Sequence, residues 1–361
     1  MGIIVFILVL IVLIVVHELG HFFVAKWFSM RVDEFGLGYP PKAMTLAKRG
    51  GTEYTLNWLP FGGFVKIYGE DGDADAPGSF TSKPRYMQAL VLVAGILMNL
   101  VFAFVLISLT LAIGMPRALS DEEVRSAPDA VLAISRVVEG SPAARAGLLP
   151  GDRILEAVGE TKFSEVSAEA FTAFVADEGA SPITFSLLRA GEPLSLSATP
   201  EKGAIPEDKE KVGLGVGVAA VGTVPLAWWQ APYEGALITI EATKQIGLGL
   251  LAFFASVFTF SADLAAVSGP VGIAGAVGDA SESGLAALLT LTAIISINLA
   301  LINLLPIPAL DGGRLLFVLI EALIRRPIPA AVAGAINAAG FAFLILLMLA
   351  VTASDVWKLV T

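Results

Sequence analysis

The sequence predicts a multi-pass α-helical membrane protein with four transmembrane helices, a β-hairpin region on the cytoplasmic side and one inserted α+β domain. Of the 361 residues, 56% are hydrophobic and 16% are charged, whereas soluble chains average about 45–50% apolar and about 25% charged residues. Three uninterrupted apolar stretches and one interrupted stretch reach the roughly 20 residues that a spanning helix needs. The formal net charge of −10 excludes nucleic-acid partners, because phosphate binding requires a basic surface.

The predicted spans are 1–30, 87–114, 285–326 and 327–354. The first is expected to be retained rather than cleaved as a signal peptide, because its first 25 residues lack Lys and Arg and no cleavage pattern follows. The third is interrupted by Asn298 and Asn303 and then by Pro306 and Pro308. Polar and helix-breaking residues at membrane depth occur where a helix packs on protein or lines a cavity. We therefore expect 285–326 to be a broken span that lines a site.

Positive charge in short loops marks the cytoplasmic side of a membrane protein. Most basic residues beside the spans lie around the region 31–86 or between the last two spans: Lys26, Arg31, Lys83, Arg85, Arg314, Arg325 and Arg326. The amino terminus has no basic residue, and the carboxyl terminus has only Lys358. Both termini and the long segment between the second and third spans are therefore expected outside, with 31–86 on the cytoplasmic side.

The segment 202–284 contains a second apolar run that leaves two alternatives open. Its apolar part, 246–260, has about 15 residues and follows Glu234, Glu241 and Lys244. This run is short for a span, and a fifth crossing would reverse the last helices against the charge pattern. A helix lying on the membrane surface is therefore preferred, with a fifth span as the alternative.

Residues 125–201 change character and are expected to form the soluble inserted domain. The predicted order is a strand, a short capped helix, a turn into a second strand, a longer helix and a hairpin, at 131–138, 141–146, 147–154, 164–176 and 183–198. This order, with its GLLPGD turn, resembles a PDZ domain of the bacterial, circularly permuted kind. Such a domain binds an extended peptide at a sheet edge; the alternative is an α+β spacer that binds nothing.

Both histidines of the chain lie in one pentapeptide of the first span, His17-Glu18-Leu19-Gly20-His21. Helix positions i and i+4 share a face about 6 Å apart along the axis, so two imidazoles can bind one metal ion while Glu18 acts as general base. A charged group at the membrane centre costs on the order of 2–3 kcal/mol, which disfavours a purely structural cluster. The pentapeptide therefore predicts a metal-dependent hydrolytic site within the membrane.

A hydrolytic zinc site has three protein ligands and an open position. The chain has no Cys and no third His, so the third ligand must be a carboxylate. Asp311 is the best candidate, because it follows Pro306 and Pro308, which prevent a regular helix. Two neutral imidazoles, Zn²⁺ and the carboxylates of Asp311 and Glu18 sum to zero charge, which avoids most of the cost of burial. The alternative role of Asp311 is that of a helix cap near the cytoplasmic surface. The other carboxylates considered are Asp263, Asp279 and Glu321.

HELGH at 17–21, NLLPIPALDGG at 303–313 and the PDZ-like segment resemble the site-2 protease family of intramembrane zinc metalloproteases, in its bacterial PDZ-bearing branch that cleaves anti-sigma factors. PFGGFVKIYGE at 60–70 and SGPVGIAG at 268–275 extend the resemblance over nearly the whole chain. It implies an enzyme that binds one Zn²⁺ per chain, with His17, His21 and Asp311 as ligands and Glu18 as the base that activates a zinc-bound water. Asn303 and Pro306 would help to hold the substrate.

The resemblance also implies a membrane-re-entrant β-loop within 31–86, where Phe61, Gly62, Gly63 and Phe64 would pair with unwound substrate; the alternative is a simple hairpin. The implied location is the bacterial inner membrane. The implied substrates are single-pass membrane proteins, either an anti-sigma factor or signal-peptide remnants, whose periplasmic part would contact the PDZ-like domain. In one departure, the second span reads AGILMN at 94–99, with Ile96 where relatives usually have proline.

Two other classes of function remain possible from the sequence. One is a membrane transporter or metal sensor that uses the same ligands, although neither an internal repeat nor a series of intramembrane carboxylates is evident. The other is a catalytically inactive scaffold whose PDZ-like domain recruits partners, although the complete motifs disfavour it. The His and carboxylate ligand set favours zinc over calcium or magnesium, which prefer oxygen ligands only.

Overall fold

The computed structural model describes residues 2–70, 76–114, 116–189, 191–204, 211–259, 261 and 267–360. The chain divides into two compact units. Unit 1 comprises Met1–Leu111 and Ala227–Thr361, and unit 2 comprises Ala112–Leu226.

The helices, in chain order, are α1 (Gly2–Trp27), α2 (Arg85–Ile113), α3 (Asp121–Val124), α4 (Pro142–Arg145), α5 (Ala168–Glu178), α6 (Ala231–Phe258), α7 (Pro270–Ser283), α8 (Leu285–Leu304), α9 (Asp311–Ile324) and α10 (Ala330–Val360). The strands are β1 (Val32–Arg49), β2 (Thr52–Ile67), β3 (Pro116–Ala118), β4 (Val131–Val137), β5 (Arg153–Val158), β6 (Lys162–Phe163), β7 (Ile183–Arg189), β8 (Glu192–Ala198), β9 (Glu201–Lys202), β10 (Val212–Gly213) and β11 (Val216–Thr223).

Five helices among the described residues are long and apolar enough to cross a membrane: α1, α2, α6, α8 and α10. The predicted count of four is therefore not confirmed, and the difference lies in α6. The apolar run that begins at Ile246 is continuous with the preceding residues, so that one helix of 28 residues forms. Its charged residues Glu241 and Lys244 lie on the helix surface, 3.7 Å apart.

The predicted broken span appears as two helices separated by a turn. Helix α8 ends at Leu304, and α9 begins at Asp311. Pro306 and Pro308 lie in the intervening turn, where their missing N–H groups cannot support a helix. The break allows the chain to change direction at the point where Asp311 begins the next helix.

Helices α1 and α2 approach each other at the pentapeptide of the first span. A Cβ atom on Gly20 would lie 2.7 Å from the Ala94 carbonyl carbon and 2.8 Å from Gly95 Cα, which is far inside the usual carbon separation of about 3.5–4.0 Å. Glycine at position 20 is therefore required for the contact. Two turns closer to the N-terminus of α1, Leu13 is completely buried in a cluster that includes Val277 of α7.

Strands β1 and β2 form the β region of unit 1 between α1 and α2. Residues 34–37 of β1 are aligned with residues 63–66 of β2 on one side and with residues 53–56 on the other. The outer part of β1, residues 42–49, pairs with residues 52–57 around Gly50 and Gly51, which both have positive φ. The strand segment that begins at Gly63 therefore lies at the side of the sheet that packs on α1, where an added Cβ would contact Ile14.

Unit 2 is built around a sheet with strand order β3-β11-β4-β5-β7-β8, in which β6 pairs with β5. Its core joins Phe171 and Phe174 of α5 with Phe185 and Leu187 of β7. The unit extends beyond the expected limits of 125–201 at both ends, because β3 and β11 belong to the same sheet. Pairing of β11 with β4 joins residues far apart in sequence, which local patterns do not reveal. The predicted hairpin turn at Ala190 lies outside the described residues.

An ion pair fixes the GLLPGD turn of unit 2. Arg189 Nε donates to Asp152 Oδ1 at 2.7 Å, and a terminal guanidinium nitrogen donates to Oδ2 at 2.8 Å. The Asp152 side chain is almost completely buried, and Oδ2 also accepts the backbone N–H of Leu149. These hydrogen bonds, with that from Arg189 first, hold the pKa of Asp152 below its usual range.

Candidate metal centre

Two histidines face the same side of α1 within an otherwise apolar helix. His17 and His21 are both buried, and their Nε2 atoms lie 3.2 Å apart. The spacing of one helical turn and the close approach of α2 at Gly20 hold the two rings together. Helix α1 therefore presents two nitrogen donors to one point inside the bundle.

The third donor comes from Asp311, which is 294 residues away from His17 in sequence. Asp311 Oδ2 lies 2.9 Å from His17 Nε2 and 3.2 Å from His21 Nε2. The following glycines make this approach possible: a Cβ on Gly312 would lie 2.6 Å from the Leu304 carbonyl carbon, and one on Gly313 would lie 2.7 Å from that of Ile307. The tight turn between α8 and α9 therefore places the carboxylate against the histidines.

The three donor atoms fit a zinc ion. They form a triangle with sides of 2.9, 3.2 and 3.2 Å, whereas tetrahedral bonds of about 2.0–2.1 Å separate two ligands by roughly 3.3 Å. His21 Nδ1 donates to the Val91 carbonyl at 2.8 Å, so its Nε2 carries the lone pair that a ligand needs. Two imidazole nitrogens and one carboxylate oxygen also match the usual donor set of catalytic zinc.

Helix α2 contributes two residues that the sequence analysis did not assign to the site. A Cβ on Gly95 would lie 2.7 Å from His21 Cε1 and 2.9 Å from His17 Cε1, so glycine leaves the space that the rings occupy. Asn99 is completely buried, and its Nδ2 is placed 3.2 Å from His17 Nδ1. Both belong to the AGILMN segment. An asparagine within an apolar span was the sequence feature that could have indicated a functional role for this segment.

Glu18 lies beside the donor triangle and is not part of it. Its side chain is half-buried and faces β2, because a Cβ on Gly63 would lie 3.6 Å from Glu18 Cγ. Tyr39 lies over Gly62, since a Cβ there would overlap its ring. Burial and the negative charge of Glu18 raise the pKa of Tyr39. Glu18 therefore faces the space between α1 and the β region.

The other predicted substrate-binding residues lie at two places near this site. Asn303 is half-buried in the last turn of α8, and Pro306 is exposed in the turn that follows. Phe64 stacks on Tyr39 with ring centroids 6.5 Å apart. Phe61 belongs to β2, but its side chain lies outside what the structure describes.

The alternative carboxylates are not brought to the histidines among the described residues. Glu321 forms an ion pair with Arg85 at 2.9 Å, and Asp279 is exposed on α7. Asp263 lies outside the described residues. Within the described part of the chain, His17, His21 and Asp311 form the one group of three such residues whose ligand atoms all lie within 4.8 Å of one another.

Comparison with known proteins agrees with this geometry. The model of peptidase family M50 matches residues 5–347. A Clostridium perfringens protein is 34% identical over 95% of both chains, and one from Fusobacterium nucleatum is 33% identical over 96% of both. A Mesorhizobium japonicum protein is 30% identical over 90% of this chain and 89% of its own. All three carry the name “putative zinc metalloprotease”. The chain therefore belongs to peptidase family M50, which confirms the resemblance to the site-2 proteases.

Proposed function

We propose that the chain is an intramembrane zinc metalloprotease that hydrolyses peptide bonds within or next to transmembrane segments. The observation that carries the proposal is the donor triangle of His17, His21 and Asp311, formed inside apolar helices with Glu18 beside it. Family membership favours a peptidase over the transporter, sensor and scaffold alternatives. The names of the relatives support zinc as the metal.

The roles of the residues follow from their chemistry and position. When bound by His17, His21 and Asp311, a zinc ion supplies Lewis acidity, which acidifies water and polarises a peptide carbonyl. Glu18 takes the proton of the attacking water and returns it to the leaving amine. The apolar helices around the site exclude bulk water, which strengthens these charge interactions.

Substrate presentation is proposed to use β2. A helical substrate hides its carbonyl groups in its own hydrogen bonds, so it must unwind before attack. The strand segment at Gly63 passes next to Glu18, and an extended substrate pairing along it would bring a peptide bond to the base. Asn303 and Pro306, at the end of α8, would hold the other side of the substrate.

A cavity with charged residues in its lining supports water access to the site. A cavity of about 770 Å³ lies between α2, α9 and the start of α10. Its lining includes the charged residues Arg85 and Glu321, and also Leu92, the residue after the Val91 carbonyl that binds His21. Charged side chains between apolar helices pair with one another or face a water-filled cavity, and here the ion pair of Arg85 and Glu321 lines the cavity. We assign this cavity as the water path from the cytoplasmic side.

The orientation is proposed with both termini outside and the β region on the cytoplasmic side. Four of the five exposed tryptophans lie at or next to the ends of long helices, where aromatic residues mark the membrane interface: Trp27, Trp228, Trp229 and Trp357. Helix α6 packs on α2 through Gly235 and Ser108 and approaches Leu301 of α8 at Gly247, which favours a helix that follows the bundle over one on the membrane surface. Helix α7 packs along the first half of α1, where Gly278 approaches Gly2. We propose that α6 runs from the outside toward the cytoplasmic side and that α7 leads back to the outside. Both termini then lie on the same side of the membrane.

The cellular setting is also a proposal. The compared relatives are bacterial, in keeping with a bacterial inner-membrane enzyme. Its substrates would be single-pass membrane proteins, such as an anti-sigma factor or signal-peptide remnants. Unit 2 would act as a PDZ-like domain: β3 pairs with β11 only at residues 221–223, and the Leu119 N–H donates to the Ala220 carbonyl. Residues 216–219 therefore offer an edge, within the described part of this sheet, to a periplasmic segment of substrate.

The test is cleavage of a single-pass model substrate by the full chain in lipid vesicles. Glu18→Gln should lower kcat by at least about 100-fold, as expected for loss of a general base, while zinc content stays at the wild-type value. Glu241→Gln on α6 is the matched control and should cleave like the wild type. Equal cleavage by wild type and Glu18→Gln would contradict the proposal.

A further inference from the structure

Asn99 of α2 contacts the donor triangle, and the proposed mechanism gives this residue no role. Its side chain is completely buried, and its Nδ2 is placed 3.2 Å from His17 Nδ1. Its Oδ1 is buried with no hydrogen-bond partner among the described residues. A buried acceptor without a partner destabilises the fold, so this side chain is expected to have a role other than packing.

The two orientations of the Asn99 amide impose different protonation on His17. With Nδ2 toward the ring, His17 Nδ1 must accept, and Nε2 carries the proton. With the amide rotated by 180°, Oδ1 accepts from Nδ1–H, and Nε2 presents a lone pair to Asp311 and His21. The nitrogen and oxygen of an amide have nearly the same shape, so both orientations fit the same space.

We propose that Asn99 is a positioning residue that accepts the Nδ1–H of His17 through Oδ1, which directs the His17 Nε2 lone pair to the metal. This inference rests on the proposed zinc site. His21 already shows the same arrangement, because its Nδ1 donates to the Val91 carbonyl. Metal-binding histidines generally donate their second ring N–H to such an acceptor, and its loss lowers metal affinity about 10–100-fold. Asn99 Oδ1 would thus be the acceptor for His17 Nδ1–H, as the Val91 carbonyl is for His21 Nδ1–H.

The surrounding packing holds Asn99 in place for this role. Ser296 Oγ of α8 donates to the Asn99 backbone carbonyl at 2.8 Å, and both residues are completely buried. One residue of α2 therefore links α1, which carries the histidines, with α8, which leads to Asp311. A side chain fixed in this way can set the angle of the His17 ring.

Two substitutions separate an accepting role from a donating or purely structural one. Asn99→Asp keeps an acceptor and removes the donor, so it should bind zinc within about threefold of the wild type. Asn99→Leu keeps the volume and removes both, so its zinc affinity should fall about 10–100-fold. Asn298→Leu is the matched control, because that amide donates to the Ile294 carbonyl of its own helix at 3.0 Å in an exposed hydrogen bond. Affinity is measured by competition with a chelator.

Nitrogen NMR gives a second readout that does not depend on activity. The chain has two histidines, so [¹⁵N]histidine labelling yields four ring signals. In the zinc-loaded wild type, Nδ1 of both rings should carry the proton, and Asn99→Leu should shift the His17 Nδ1 signal but not that of His21. General unfolding would move both signals together.

Three results would overturn the positioning role. These are zinc affinity in Asn99→Asp as low as in Asn99→Leu, unchanged affinity in Asn99→Leu, or an unprotonated His17 Nδ1 in the zinc-loaded chain. Failure of the wild type to bind zinc would instead refute the proposed metal centre itself.

Discussion

Gly95 occupies a position where a single added methyl group would collide with both histidines. Its Cβ would lie 2.7 Å from His21 Cε1 and 2.9 Å from His17 Cε1. Because carbon atoms rest about 3.5–4.0 Å apart, Gly95→Ala requires the His21 ring to move by roughly 0.8 Å. Metal sites tolerate ligand displacements of only about 0.2 Å, and a misplacement of about 1 Å costs on the order of 100-fold in rate. We expect at least about a 100-fold loss of zinc affinity and of kcat/KM.

The assay compares zinc affinity, cleavage of a single-pass substrate and thermal unfolding of the full chain. Gly249→Ala in α6 is the matched control, because a Cβ there meets nothing within 4 Å. Replacing glycine by alanine within a helix stabilises it by about 0.5–1 kcal/mol, so the control should be slightly more stable and fully active. Wild-type zinc affinity in Gly95→Ala would refute the placement of α2 against the histidines.

Three further substitutions test two contacts beside the metal centre and one ion pair in unit 2. Gly63→Val should lower kcat/KM at least about 10-fold by crowding the space beside Glu18, because a Cβ at position 63 would lie 3.6 Å from Glu18 Cγ. A change in zinc affinity would contradict this explanation. Gly312→Ala should lower both zinc affinity and thermal stability, because its Cβ would lie 2.6 Å from the Leu304 carbonyl carbon; a fully active, stable variant would contradict it. In the folded state, the hydrogen bond from Arg189 lowers the pKa of Asp152. The ionised Asp152 therefore stabilises the fold at a pH above its unfolded pKa of about 3.9, and this stabilisation is lost as the pH falls below that value. Thermal melts should show this loss, and Asp152→Asn should be less stable at pH 7 and less pH-dependent below about pH 4.

The sequence predicted the parts of the site that depend on local spacing and on the choice of donor. Two histidines one helical turn apart must share a face, whatever the rest of the fold does. The absence of cysteine left a carboxylate as third donor, and the proline-rich turn before Asp311 marked where the chain bends. The structure brings these three side chains together.

The remaining parts depend on contacts between segments that are distant in sequence. Gly95 and Asn99 reach the histidines only because α1 and α2 cross at Gly20, and the rotation of one helix against another is not encoded in either alone. The length of α6 was underestimated because Glu241 and Lys244 interrupt its apolar pattern. Strand β11 pairs with β4 across most of unit 2, so the expected domain limits were too narrow.

Zinc K-edge X-ray absorption on the purified, zinc-loaded chain measures the ligands of the proposed metal centre themselves. We expect one four-coordinate zinc per chain, with two imidazole nitrogens at about 2.0–2.1 Å and a carboxylate oxygen at about 2.0–2.2 Å. Asp311→Asn should change this spectrum and weaken zinc binding. A spectrum without imidazole scattering, or one identical in wild type and Asp311→Asn, would contradict the account.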